Sequence, residues 1–119
     1  MHPDIRFDIV DLVDVYITID YSTAGSEQEL SDNVEQVIAD AILENAETCF
    51  NGVGRDQLEI EYVGVVTDLL KRGEITGVGT VVAKLSLVDN AGPFLSPSLP
   101  IGIRERPDFS SARIEVNQV

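Results

Sequence analysis

Between Ser26 and Phe50, Leu30, Val34, Val37, Ile38, Ala41, Ile42, Ala46 and Cys49 recur in steps of three and four. On a 3.6-residue helix these positions make one apolar stripe. Glu27, Gln28, Glu29, Asp32, Glu35, Gln36, Asp40, Glu44 and Glu47 fill the opposite side. Ser26 with Glu29 three residues on reads as a capping box, in which each side chain satisfies a backbone N–H that the first turn leaves free. Asn51-Gly52 suits a left-handed stop. The pattern predicts a helix over 26–50, a rod of about 35 Å that needs a cover along its stripe.

Upstream the period falls to two. Val13, Val15, Ile17, Ile19 and Tyr21 alternate with Asp14, Tyr16, Thr18 and Asp20, the mark of a half-buried strand. Residues 1–11 form a lead-in where Ile5, Phe7 and Ile9 alternate, and 22–25 turn into the helix. Downstream, 51–56 is a flexible link, and Leu58 and Ile60 alternate with Glu59 and Glu61 in a short extended piece. A second helix is expected from Tyr62 to Arg72, with Val63, Val66, Leu69 and Leu70 as its stripe. Lys71 and Arg72 suit its negative end and Gly73 its stop. Gly64 weakens that helix by up to ~1 kcal/mol, which leaves an extended reading of 58–66 open. Val81, Ala83, Leu85 and Leu87 alternate in a strand, Asp89 to Pro93 is a turn, and Ala112, Ile114 and Val116 alternate in a last strand. Between them, Pro93, Pro97, Pro100 and Pro107 restrict 93–107 to an edge segment, an ordered loop or an arm, although Leu99, Ile101 and Ile103 alternate within it.

The sum is one α+β domain over 1–119: a small, mostly antiparallel sheet with a long and a short helix packed on one face. Strands after Gly77 follow one another without crossover helices, which argues against an all-parallel sheet. A chain of 119 residues, 44% hydrophobic, can bury one continuous core. Its net charge of −13 argues against nucleic acid and anionic membrane as partners. The same charge serves solubility, or a docking face for a basic neighbour. No apolar run reaches the length of a membrane span, and residues 1–6 carry no basic-then-apolar leader, so synthesis in a cytoplasm is expected. Cys49 has no second cysteine to pair with, and its place on the stripe predicts a buried thiol.

The sequence offers no recognisable catalytic residue, cofactor motif or metal-ligand set. His2 is the one histidine and stands at the start of the chain, so no Ser-His or Cys-His pair assembles. Zinc would need a Cys/His cluster, and Asp89-Asn90-Ala91-Gly92 is too short and too poor in oxygens for a calcium loop. Gly52-Val53-Gly54 follows a helix and Gly77-Val78-Gly79 precedes a strand, whereas a phosphate cradle follows a strand and opens a helix. Both read as hinges. Glu59 and Glu61 would point one way on an extended segment, but no pocket is apparent that would split their acidities, and a solvated face is the simpler reading. Arg104-Glu105-Arg106 reads as a simply exposed cluster or as a partner for an acidic neighbouring subunit.

The order of these parts resembles the C-terminal domain of the baseplate J-like family of contractile phage tails. The residues that carry the likeness are the helix after Tyr21, the short helix followed by Gly77-Val78, and Glu105-Arg106-Pro107 ahead of Ile114-Glu115-Val116. Family members are usually longer chains in which this domain follows others. The resemblance implies a virion structural protein without enzymatic activity, contacting other tail or baseplate proteins in an oligomeric ring. The expected interface is Phe94, Leu95, Leu99, Ile101, Ile103, Arg104 and Arg106 on the proline-rich segment, whose deletion should then leave a folded monomer that cannot assemble. A non-virion adaptor module is the alternative, since a layout of this kind serves many binding domains. A small carboxylate enzyme would instead need a concave site whose two acids titrate far apart.

Overall fold

The computed structural model describes residues 10–25 and 29–119. In chain order these form β1 (Asp11–Asp14), β2 (Tyr16–Thr23), α1 (Val34–Cys49), β3 (Gln57–Leu58), α2 (Glu59–Lys71), β4 (Val78–Ser86), β5 (Ser98–Leu99), β6 (Glu105–Asp108), a 3₁₀ turn (Ser111–Arg113) and β7 (Ile114–Gln118). The chain is an α+β fold. Its main sheet has the order β4-β2-β7, and β1-β6 and β3-β5 are two small accessory pairs.

β2 is the central strand. Its alternation buries Ile17, Ile19 and Tyr21 on the face that carries the core. Antiparallel pairing with β4 sets Ile17 opposite Leu85 and Ile19 opposite Ala83. Parallel pairing with β7 sets Ile17 opposite Ile114 and Ile19 opposite Val116. One seam of each kind makes the sheet mixed, because the long connection over 87–113 carries the chain past β2 before it pairs again. Asn90 closes the point where β2 and β7 begin: its Nδ2 donates to the Ile17 and Arg113 carbonyls and to Thr18 Oγ1, each at 3.1 Å.

The strand expected over 13–21 is broken at Val15. Its N–H donates to the Asp108 carbonyl at 3.1 Å, and the residues before it pair in parallel with β6. Pro107 sits in that two-stranded pair, an edge position that tolerates a missing donor.

α1 buries Val34, Ile38, Ile42 and Ala46, a subset of the expected stripe, but it begins at Val34 and measures about 24 Å. Competing tertiary bonds hold the preceding residues out of the helix. Ser31 N–H donates to the Thr76 carbonyl, Thr76 N–H to Ser31 Oγ and Thr76 Oγ1 to the Glu29 carbonyl. Asn33, at φ 55°, then turns the chain through the left-handed region into the helix. Gly77 makes this close approach feasible: its φ is 82°, and a Cβ there would stand 2.5 Å from the Glu29 carbonyl oxygen. Ser26 and the capping box it would form, the lead-in strand of Ile5, Phe7 and Ile9, and His2 fall outside the described residues.

Cys49 is exposed rather than buried. The core position at this end goes to Phe50, which packs edge-on against Tyr62 with ring centroids 5.1 Å apart. α2 starts at Glu59, earlier than expected, and buries Tyr62, Val65, Val66 and Leu69; only Gln57 and Leu58 before it are extended. Ala112 belongs to the 3₁₀ turn and does not share a strand face with Ile114 and Val116.

The segment 93–107 is an edge and an ordered loop built into the molecule, not a detachable arm. Leu99 and Ile101 are core residues, and Leu99 lies in β5 paired with β3. The alternation then stops at a turn in which Glu105 N–H donates to the Gly102 carbonyl and Gly102 N–H to Glu105 Oε1. Ile103, on that turn, is 87% exposed.

Candidate functional site

A buried polar knot fixes where α2 begins. Gln57 Nε2 donates to the Phe50 carbonyl at 2.9 Å and the Arg55 carbonyl at 3.0 Å, while Gln57 Oε1 accepts from Tyr62 Oη at 2.5 Å. Burial, and then the Glu61 carboxylate, raise the Tyr62 hydroxyl well above its ordinary pKa. Arg55 grips Glu61 through both terminal nitrogens and lies over the Phe50 ring at 4.9 Å. The hydrogen bond to Glu61 raises the guanidinium pKa against the opposing effect of burial. With the link tied down, Glu59 N–H donates to the Pro97 carbonyl and the helix starts there.

This start leaves apolar side chains outside the core. Ile60 is 75% exposed and Leu58 is also exposed. They border an open groove of about 560 Å³ whose other side is β4 at Val81, Val82 and Ala83 and whose end is closed by Pro97 and Ser98. Val82, 52% exposed, adds to the apolar rim. Among the described residues Glu59 is the groove's single charged lining residue, and its Oε1 accepts from Ser96 Oγ at 2.9 Å.

β4 is an edge strand of the main sheet. The Leu85 carbonyl accepts from Leu95 N–H at 2.9 Å on the side away from β2. Backbone groups of alternate residues share a side, so Val81 and Ala83 also direct N–H and C=O away from β2, into the groove. No strand among the described residues meets them there. Among the described residues, a paired side of the sheet, a ladder without a partner strand and an apolar floor thus stand together, the arrangement that accepts an added strand.

The expected interface residues do not form one surface. Leu99 and Ile101 are inside the core and cannot touch a partner of the folded protein. Phe94 and Leu95 are exposed at the end of the β4 edge, and Lys84 Nζ lies 5.5 Å from the Phe94 ring centroid. Ile103 and Arg104 are exposed on the 102–105 turn. Arg106 Nε donates to the Asn51 carbonyl at 3.1 Å, beside a second, more polar cavity of about 250 Å³ bordered by Leu12, Glu47 and Asp108. Glu59 and Glu61 are two apart on a helix rather than a strand, and their carboxylates go to Ser96 and Arg55 respectively. Asp89 and Asn90 make a turn, with Gly92 N–H donating to the Asp89 carbonyl. Among the described residues no three His, Cys, Asp or Glu side chains stand close enough together to hold a metal ion.

Sequence reasoning missed the groove. Two residues offered a signal: Ile60, apolar but off the helical stripe, and Val82, apolar on the otherwise polar side of the β4 alternation.

No family model matches this chain, and no curated protein matches it. Among the described residues no helix is long and apolar enough to cross a membrane.

Proposed function

We propose that this protein is a structural component of a phage tail or baseplate, acting through contacts with other proteins of the virion. The observation that supports a contact-making role is the β4 edge, without a partner strand among the described residues, beside an apolar groove. Isolated exposed apolar residues are common, but an apolar rim aligned with open ladder groups favours a protein partner. The resemblance to the C-terminal domain of the baseplate J-like family supplies the setting, a ring of wedge proteins at the tail tip. The net charge of −13 agrees with neighbours that are proteins rather than nucleic acid or anionic lipid.

The test is localisation on particles. A tagged copy is expressed during production of the phage or tail-like particle that encodes it, and purified particles are labelled with gold against the tag. Label at the tail tip supports the proposal. Particles without label, with the tagged protein recovered on soluble non-virion proteins, overturn it in favour of an adaptor.

A further inference from the structure

The groove and the β4 edge together specify the chemistry of what fits them. Val81 and Ala83 offer outward N–H and C=O groups, which only an extended backbone can satisfy in series. Ile60 and Val63 lie beside that edge and take apolar side chains at every second position of such a segment. The charge is one-sided. Among the described residues Glu59 is the one charged group lining the groove, and Lys84, the one basic residue of β4, is held by Asp20 at 2.6 Å. Around them the molecule carries −13.

We infer that the β4 edge binds an extended segment of a basic partner protein in which apolar residues alternate with lysine or arginine. The apolar residues enter the groove over Ile60 and Val63, and a basic residue reaches Glu59 at its end. Backbone ladder bonds supply affinity that does not depend on side-chain identity, while the groove and the charge select the sequence. A second copy of this chain is the poorer occupant, because it brings the same −13 toward the same acidic rim. The inference rests on the contact-making role proposed above but not on the tail setting.

The experiment uses the whole chain and a short synthetic peptide alternating isoleucine with lysine. Controls are an isoleucine–glutamate peptide and one with the isoleucines and lysines grouped into blocks. Binding is read by fluorescence anisotropy, and amide hydrogen exchange follows Val81 and Ala83. The expected result is protection of both amides by the alternating basic peptide and weakening of its binding by raised salt. Ile60→Gln, which removes the apolar contact without adding charge, should reduce affinity by about tenfold or more. Ile60 is exposed, so this variant keeps its fold, which circular dichroism checks. Glu59→Gln gives a smaller loss that disappears at high salt. Equal binding of the glutamate peptide or of the block peptide overturns the inference. So do unprotected Val81 and Ala83 amides in the saturated complex, or a free protein that is already a dimer and becomes monomeric on Ile60→Gln. Peptide binding with unlabelled tails removes the tail setting alone, and labelled tails with silent β4 amides remove this inference alone.

Discussion

Replacing Gln57 by leucine tests the knot that positions α2. The side chains are similar in size, so the substitution removes the amide and leaves little cavity. Three groups lose their partner: the Phe50 carbonyl, the Arg55 carbonyl and the Tyr62 hydroxyl. A buried group left unpaired costs about 1–3 kcal/mol. The Arg55 carbonyl, bonded in a part-buried position, can turn to water, so two groups bear most of the loss. Burying leucine in place of the amide returns about 1 kcal/mol. The net expectation is a loss of about 1–5 kcal/mol, a large share of a typical domain's ~5–15 kcal/mol. Urea unfolding followed by circular dichroism should show a lower midpoint at unchanged slope, and the thermal midpoint should fall by roughly 10 °C. Tyr62→Phe strands only Gln57 Oε1 and should cost about 1–2 kcal/mol. In the double variant the two stranded groups disappear together, so its loss should be less than the sum by about 1 kcal/mol. A Gln57→Leu protein within about 0.5 kcal/mol of the parent, or a strictly additive pair, refutes the claim that this bond holds the start of α2.

Leu99→Ala should cost about 2–5 kcal/mol by cavity formation, and deletion of 93–107 should unfold the domain, since Leu99 and Ile101 leave the core with it; a deleted chain with parental circular dichroism would return the segment to the status of an arm. Cys49 should react fully with a thiol reagent in the native protein, and reaction only under denaturing conditions would contradict its exposure. Burial, helped by the bond to Glu35, pushes the Tyr21 hydroxyl from 10.0 up to about 12. The folded state therefore keeps this proton longer than the unfolded chain, so stability is whole below pH 10.0 and declines as the pH climbs toward about 12. Tyr21→Phe should make the urea midpoint less sensitive over that window, and an equally steep decline would refute the assignment.

What the sequence disclosed follows from how local each determinant is. The burial of Ile17, Ile19 and Tyr21 is dictated by period two alone, and α2 by its apolar spacing, so β2, α2 and the α+β class were legible, whereas the split at Val15 and the β1-β6 pair were not. The start of α1 was not, because Thr76, far along the chain, competes for the backbone that the capping-box pattern would have made helical. Leu99, Ile101 and Ile103 obey one alternation, yet the Glu105 side chain closes a turn after the second and leaves the third in water. Cys49 obeys the stripe, but Phe50 fills the space beside Tyr62.

The groove was further out of reach, since it exists only through the packing of α2 on β4. Ile60 and Val82 each break a local rule mildly, and neither break says that the two border one concave surface. The decisive property, that Val81 and Ala83 turn their ladder groups outward, is a parity. It is set by which residues of β4 bond to β2, and the Leu95–Leu85 bond on the far side reveals it. Side-chain patterns carry the faces of a sheet but not the direction of the amides within its plane, so a binding edge becomes readable only after its inner partner strand is known.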